Sequence, residues 1–283
     1  MSDSGTKTIV ITGASAGIGA QAAIVLAGMG YDVIPVGRSE SKLNGVADQM
    51  RAAGQESVIP VVADLANMDE VRGLAKILSA VTSRIDVLIN NAGVIEKTKV
   101  ITPDGFERTW AINHLAPFLL TTLLKDKLEA SHPVRVITTS SFASNAGVIK
   151  EGQFNGDKFG TAFQTYAATK LANALFSVEL ARRWEGSGNT SNHVHPGSVK
   201  SEWGRDTWWL RAARPISDRF SLTPLQGAKP LIHLASSDEG GTANGLFFGP
   251  KATPMKALPS TRDPKTAADL WARTERALGV TWA

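Results

Sequence analysis

Two side chains four residues apart, in Tyr166-Ala-Ala-Thr-Lys170, carry the most reactive pairing in this chain of 283 residues. On a helix they fall one turn apart on the same face. A free phenol titrates near about 10, too high for proton exchange at neutral pH; a fixed positive charge beside it favours the phenolate and lowers that value. Such a pair could pass a proton to or from an alcohol or carbonyl oxygen. The same spacing also suits an ordinary surface Tyr-Lys pair. Upstream, the run Val134-Arg-Val-Ile-Thr-Thr139 leads into Ser140-Ser141, where a hydroxyl could hydrogen-bond a reacting oxygen, although serine after a strand is also a common turn residue. No Gly-x-Ser-x-Gly elbow surrounds these serines, so they are read as polar positioning groups and not nucleophiles.

A second chemical signal lies between Thr8 and Gly30, where Ile9-Val-Ile11 is followed by Thr12-Gly13-Ala-Ser15-Ala-Gly17-Ile18-Gly19 and a helical pattern to Met29. Strand, glycine turn and helix in that order present unpaired N–H groups and a positive dipole end to an anion, and residues without side chains let a pyrophosphate approach the backbone. The implied ligand is a dinucleotide. No Lys-Ser or Lys-Thr pair closes the turn, which excludes a P-loop, and the spacing differs from the commoner Gly-x-Gly-x-x-Gly. The second strand ends in Val36-Gly37-Arg38-Ser39 with no acid to accept from a ribose 2′-hydroxyl. Arg38 can grip a 2′-phosphate bidentately, with Ser39 and Ser15 adding hydroxyls, so NADP is preferred and NAD remains possible. The competing readings of Arg38 are a solvated helix start and a stack on adenine. Glu40 suits the first turn of the next helix.

These groups need a scaffold, and the hydrophobic pattern supplies one. Strands are expected at Tyr31–Val36, Val58–Ala63, Ile85–Ile89, Val134–Thr139, Ser191–His195 and Leu246–Phe248, alternating with helices at Ser39–Ala53, Met68–Thr82, Asp104–Lys127, Phe163–Trp184 and Leu225–Ala235. Near-continuous apolar strands separated by helices predict an α/β, doubly wound parallel sheet of about seven strands with helices on both faces. Residues 1–283 read as a single domain. The stretches near 142–165 and 198–223 break the rhythm and are expected to be substrate loops. Phe142, Phe154, Phe159 and Phe163 in the first, and Trp203, Trp208, Trp209, Leu210 and Phe220 in the second, could line an apolar cleft or serve a subunit interface. Lys265–Leu278 is expected to pack back on the domain.

Composition removes several alternatives. With no cysteine, thiolate catalysis and disulfides are excluded, and the five histidines have no metal-ligand spacing, so no metal is expected. The formal charge of +4 comes from scattered lysines and arginines, which gives a nucleic-acid surface no support. No signal segment or membrane-length apolar run is present, so a soluble cytoplasmic protein with no membrane partner is expected.

Taken in order, Thr12-Gly-x-x-x-Gly-x-Gly19, Asp64 after the third strand, Asn90-Asn-Ala-Gly93, Asn113, Ser141, Tyr166-x-x-x-Lys170 and Pro196-Gly197 make the chain resemble the short-chain dehydrogenase/reductase family over nearly its whole length. The runs Trp110–Thr121 and Tyr166–Phe176, and the long stretch between Ser141 and Tyr166, are most similar to its retinol-dehydrogenase-like branch. The resemblance implies reversible hydride transfer between a nicotinamide and an alcohol, aldehyde or ketone. It makes Tyr166 the general acid/base and Ser141 the group that polarises the substrate oxygen, with Ser140 as the alternative. Lys170 would bind the nicotinamide ribose and depress the tyrosine pKa, and Asn113 would hold a relay water. Asn91, Ala92 and Gly93 would line the adenosine ribose, Asp64 and Leu65 the adenine, and Val199 and Ser201, after Pro196-Gly197, the nicotinamide amide. A homodimer or homotetramer through the fourth and fifth helices is also implied. Two other function classes stay open: a non-catalytic dinucleotide-binding regulator, and an epimerase or dehydratase that retains NAD.

Overall fold

Strand β1 (Thr8–Thr12) is buried at every position because both of its faces are covered by helices and both of its edges are paired. The computed structural model describes residues 5–199, 221–256, 259–261 and 263–282. Beside β1 lie β2 (Asp32–Gly37) and, on the other edge, β4 (Val87–Asn90); beyond β2 comes β3 (Val61–Val62). Outward from β4 follow β5 (Arg135–Thr139), β6 (Thr190–Val194), β7 (Phe247–Phe248) and β8 (Pro254–Met255), giving the order β3-β2-β1-β4-β5-β6-β7-β8. All pairs are parallel except β7–β8. The doubly wound sheet is therefore as expected, with eight strands in place of about seven. The extra strand is a short antiparallel return from β7, closed by a Gly249 N–H to Thr253 carbonyl bond of 2.9 Å.

Chain direction across the sheet reverses between β1 and β4, and in such sheets a crevice opens beyond the carboxyl ends of the strands at that point. One core packs α1 (Gly17–Gly28), α2 (Glu40–Ala52) and α8 (Pro224–Ser236) on one face. The other packs α3 (Met68–Val81), α5 (Ala116–Leu123) and α7 (Ala162–Arg183) on the opposite face. The C-terminal helix, α10 (Pro264–Leu278), lies over this second layer, with Trp271 stacked on Phe176 at 5.6 Å and edge-on to Phe118 at 4.7 Å. The helices that the resemblance assigned to subunit pairing thus carry a segment of their own chain. Among the described residues, no helix is long and apolar enough to cross a membrane.

The expected helix Asp104–Lys127 is broken into α4 (Arg108–Trp110), a π-turn (Ala111–Leu115), α5 and α6 (Lys125–Glu129). Pro117 is the physical reason: it has no N–H to give the carbonyl four residues back, that of Asn113, so a regular α-helix cannot run through. The expected third strand shrinks to two residues at the sheet edge, where only β2 is available to pair. Phe142–Ala146, expected as irregular, form a 3-10 turn whose N-cap is Ser141.

Candidate active site

The crevice is floored by the glycine turn. Gly13 has φ +69°, and a Cβ there would sit 2.8 Å from Ala92 Cα; at Gly19 a Cβ would sit 2.4 Å from the Gly13 carbonyl oxygen. Both positions therefore exclude any side chain, and this lets α1 start directly behind the turn. The turn is latched to the end of β4 by Thr12, whose Oγ1 accepts from the Asn91 and Ala92 N–H groups at 3.1 and 3.3 Å. Asn91 returns the contact by donating Nδ2 to the Thr12 carbonyl at 3.0 Å.

A cleft of about 910 Å³ opens above this floor. Gly13, Ser15, Gly17 and Ile18 from the turn, Arg38 and Ser39 after β2, and Asp64 and Leu65 after β3 line it. Asn91, Ala92 and Gly93 after β4, Ser141, Tyr166 and Lys170, and Pro196, Gly197 and Val199 after β6 complete the wall. Gly19 lies behind the turn and Asn113 behind Gly93, so both support the wall without lining it. Ser201 and the aromatic run Trp203–Phe220 lie outside the described residues. Phe154, offered from the sequence as a cleft residue, instead packs on Trp110 at 4.9 Å, drawn in by a Glu107 N–H to Phe154 carbonyl bond of 2.7 Å. Phe142 is 58 % exposed and is not among the lining residues, although its ring stands 6.1 Å from that of His195, which is.

At the inner end of the cleft the reactive groups converge. A capping box, Thr161 with Gln164, starts α7 and places Tyr166 in its second turn. The phenol hydrogen-bonds the Ser141 side chain. Burial pushes the Tyr166 phenol above its ordinary value, opposed by the Ser141 bond, so the depression expected from Lys170 does not prevail here. Lys170 Nζ stands 5.5 Å from the Tyr166 ring centroid and donates to the Thr139 carbonyl at 2.9 Å. Burial lowers its pKa to about 8. Ser140 is turned away: its hydroxyl donates to the Lys170 carbonyl at 2.7 Å, which leaves Ser141 as the hydroxyl beside the phenol.

Asn113 acts on the wall of this pocket. Its side chain brackets Val94, accepting from the N–H at 2.8 Å and donating to the carbonyl at 2.9 Å, and its second N–H reaches Thr169 at 3.0 Å. The amide is thus occupied structurally, while Pro117 denies the Asn113 main-chain carbonyl its usual helical donor. The sequence reading missed two contributors, Lys42 and the Thr139 carbonyl, and it named Gly93 without the contact that makes glycine suit that position. Gly93 matters because a Cβ there would meet Lys170 Nζ at 3.2 Å, a contact no local pattern announces. Lys42 lines the cleft four residues after Arg38, a spacing that could have flagged it. The Thr139 carbonyl is main chain and carries no residue-type signal.

The residues fit a dinucleotide. The floor is closed to side chains at Gly13 and Gly19, and the mouth carries Arg38, exposed and without a described partner, beside Ser15, Ser39 and Lys42. A doubly wound sheet with this crevice and a Ser-Tyr-Lys cluster at its inner end defines a nicotinamide dinucleotide-dependent oxidoreductase acting on CH–OH or C=O groups. Comparison with known proteins gives the family. The short chain dehydrogenase model matches residues 7–208, and the chain belongs to that family. Human retinol dehydrogenase 13 is 37% identical over 283 residues, covering 97% of this chain and 85% of that protein. Human retinol dehydrogenase 11 is 40% identical over 243 residues, covering 86% and 76%. These relatives place the chain in the retinol-dehydrogenase-like branch. Among solved structures, an uncharacterised protein from Mycobacterium paratuberculosis superposes with TM-score 0.80 at 32% identity, covering 98% of this chain and 95% of that one. A short-chain dehydrogenase from Burkholderia cenocepacia in complex with NADP gives 0.70 at 25% identity, covering 86% and 95%.

Proposed function

We propose that this protein is an NADP(H)-dependent oxidoreductase that interconverts a bulky apolar alcohol and its carbonyl compound, with Tyr166 as general acid/base. The observation that carries this reading is the Tyr166–Ser141 hydrogen bond, made at the inner end of the cleft with Lys170 one turn further along α7. When bound, the nicotinamide supplies or accepts the hydride. In the reducing direction Ser141 donates a hydrogen bond to the substrate carbonyl oxygen and Tyr166 gives that oxygen its proton; in the oxidising direction Tyr166 takes the alcohol proton. Lys170 brings positive charge to the phenol's side of the site and lowers the cost of the phenolate state. The water-holding role falls to the Asn113 main-chain carbonyl, because its side-chain amide is already engaged. The preference for NADP(H) rests on Arg38, Ser39, Ser15 and Lys42 at the cleft mouth and on the lack of an acid at the end of β2.

The relatives' names make all-trans-retinal and all-trans-retinol the first substrate probes, alongside aliphatic and aromatic aldehydes. Turnover followed at 340 nm with NADPH and with NADH tests the reading. Tyr166→Phe is expected to abolish turnover while NADPH still quenches tryptophan fluorescence. Full turnover in Tyr166→Phe removes the phenol from the mechanism.

A further inference from the structure

One titratable side chain that lines the cleft has no part in the proposed reaction. His195 directly follows β6, and its main-chain N–H donates to the Phe248 carbonyl at 2.8 Å. The Ser140 N–H donates to the Val194 carbonyl, also at 2.8 Å, so the strand end that carries Ser141 is tied to the residue before His195. The ring centroid of His195 lies 6.1 Å from that of Phe142, the residue after Ser141. Main-chain bonds on two sides thus seat the imidazole beside the turn that holds the Ser141 hydroxyl.

The two ring nitrogens differ in what they can do. Nδ1 is buried and has no described partner. Burial also lowers the pKa of the ring, so the imidazole is neutral at neutral pH and carries a single N–H. A proton on Nδ1 would be a buried donor with nothing to bond, and orphaned N–H groups are rarer in folded proteins than orphaned acceptors. The proton therefore belongs on Nε2, and what His195 offers a ligand in the cleft is a hydrogen-bond donor.

That donor needs an acceptor. A substrate carbonyl oxygen has two lone pairs, and in the reaction described above Ser141 and Tyr166 take both. A substrate whose only polar atom is that oxygen leaves the His195 N–H unpaired once the cleft is filled, whereas one with a second acceptor pairs it. We propose that His195 is a specificity-determining residue that donates from Nε2 to a second, neutral oxygen of the substrate, a keto, hydroxyl or ether oxygen on the carbon next to the reacting carbonyl. The oxygen is neutral because a neutral imidazole brings no charge to balance a carboxylate. This rests on Ser141 and Tyr166 sharing the reacting oxygen, and it narrows the bulky apolar substrate to one with a vicinal pair of oxygens.

Two readouts test this, and neither needs turnover. At about pH 7.5 the nitrogen-15 shifts of the His195 imidazole, assigned by their loss when His195 is replaced, are expected to report the Nε2–H tautomer. The Nδ1–H tautomer overturns the proposal, and because it is read on the wild-type chain it decides even if a variant melts without cooperativity. The second readout is ketone binding to the NADP+ complex, which holds no hydride to give. There 1-phenylpropane-1,2-dione is expected to bind roughly 10- to 100-fold more tightly than 1-phenylpropan-2-one. His195→Phe keeps a ring but removes the donor and is expected to erase that preference. His195→Gln returns an N–H near the Nε2 position and is expected to recover part of it. The same preference in wild type and His195→Phe, or no binding of either ketone, overturns the proposal. Full turnover in Tyr166→Phe would instead sink the reaction itself, a result obtained without any His195 variant.

Discussion

Lys170 should cost the protein stability, and removing it should reveal how much. Its ammonium is buried at 2 % exposure, and its pKa falls from 10.5 to about 8 because burial penalises the charge. The sign follows from proton counting. Between about 8 and 10.5 the unfolded chain holds a proton on this amine that the folded chain has released, so stability rises with pH across that window. Below it the full penalty is present. At about 1.36 kcal/mol per pH unit the penalty at neutral pH is about 3 kcal/mol. Lys170→Met keeps the apolar stem, escapes the penalty and gives up the 2.9 Å bond to the Thr139 carbonyl, worth about 1 kcal/mol. Asn173 still satisfies that carbonyl. The variant should therefore be more stable by about 2 kcal/mol at pH 7, which raises Tm by about 4 °C, and catalytically dead. At pH 10 the advantage should vanish or reverse, since the wild-type amine is then neutral in the folded state. Calorimetry of both proteins at pH 7 and pH 10 decides the matter, because the remaining groups titrate alike in the two chains. A Lys170→Met variant less stable than wild type at pH 7, by a margin that pH does not alter, would refute the reasoning.

Three further outcomes follow from individual contacts. Arg38→Ala should weaken NADPH binding roughly 10- to 100-fold, the worth of one charge-assisted contact, while NADH binding changes little; equal losses for both would disprove the 2′-phosphate role. Gly19→Ala forces a Cβ to 2.4 Å from the Gly13 carbonyl oxygen, so it should cost about 1–3 kcal/mol of stability and weaken dinucleotide binding, both measurable by melting with and without NADPH. Trp271→Ala empties the space between Phe118 and Phe176 and frees the Arg183 guanidinium, 4.3 Å from the indole, at a cost of about 3–5 kcal/mol. Chemical denaturation should record that loss, and an unchanged midpoint would mean that α10 is not packed as described.

What could be read in the sequence was what one element encodes by itself. The apolar run Ile9–Ile11 announces a strand buried on both faces, Tyr166 and Lys170 announce a shared helix face, and Gly13 to Gly19 announce a turn without side chains; each depends on neighbours a few residues away. The alternation of such elements was enough to give the doubly wound sheet. The parts that escaped depend on which distant residues meet. Nothing near Gly93, in the loop after β4, says that Lys170 on the distant α7 needs that space, and nothing near Phe154 says that Trp110 rather than the cleft will receive it. Pro117 sits in plain view, yet its consequence falls on Asn113, where a helix pattern continues unbroken on both sides.

The same distinction explains why the phenol shifts in the direction opposite to the depression expected from Lys170. One turn of helix does bring an ammonium to a phenol, but the pattern carries no information about how dry the site is, and here burial raises the phenol and lowers the amine together. A pair perturbed in this direction is held far from its preferred ionisation until something else changes the local charge. A phenol that stays protonated and hydrogen-bonded to Ser141 is already a proton donor aimed at the substrate oxygen, which is the state carbonyl reduction requires. With its phenol raised, Tyr166 starts as the acid that reduction needs and must lose its proton before it can act as the base of oxidation, and the pH–rate profile can check this: reduction of all-trans-retinal should hold its rate through neutral pH, whereas retinol oxidation should climb as the medium becomes alkaline. Profiles that rise together in both directions would show that the phenol's protonation state in the working enzyme is not the one burial imposes here.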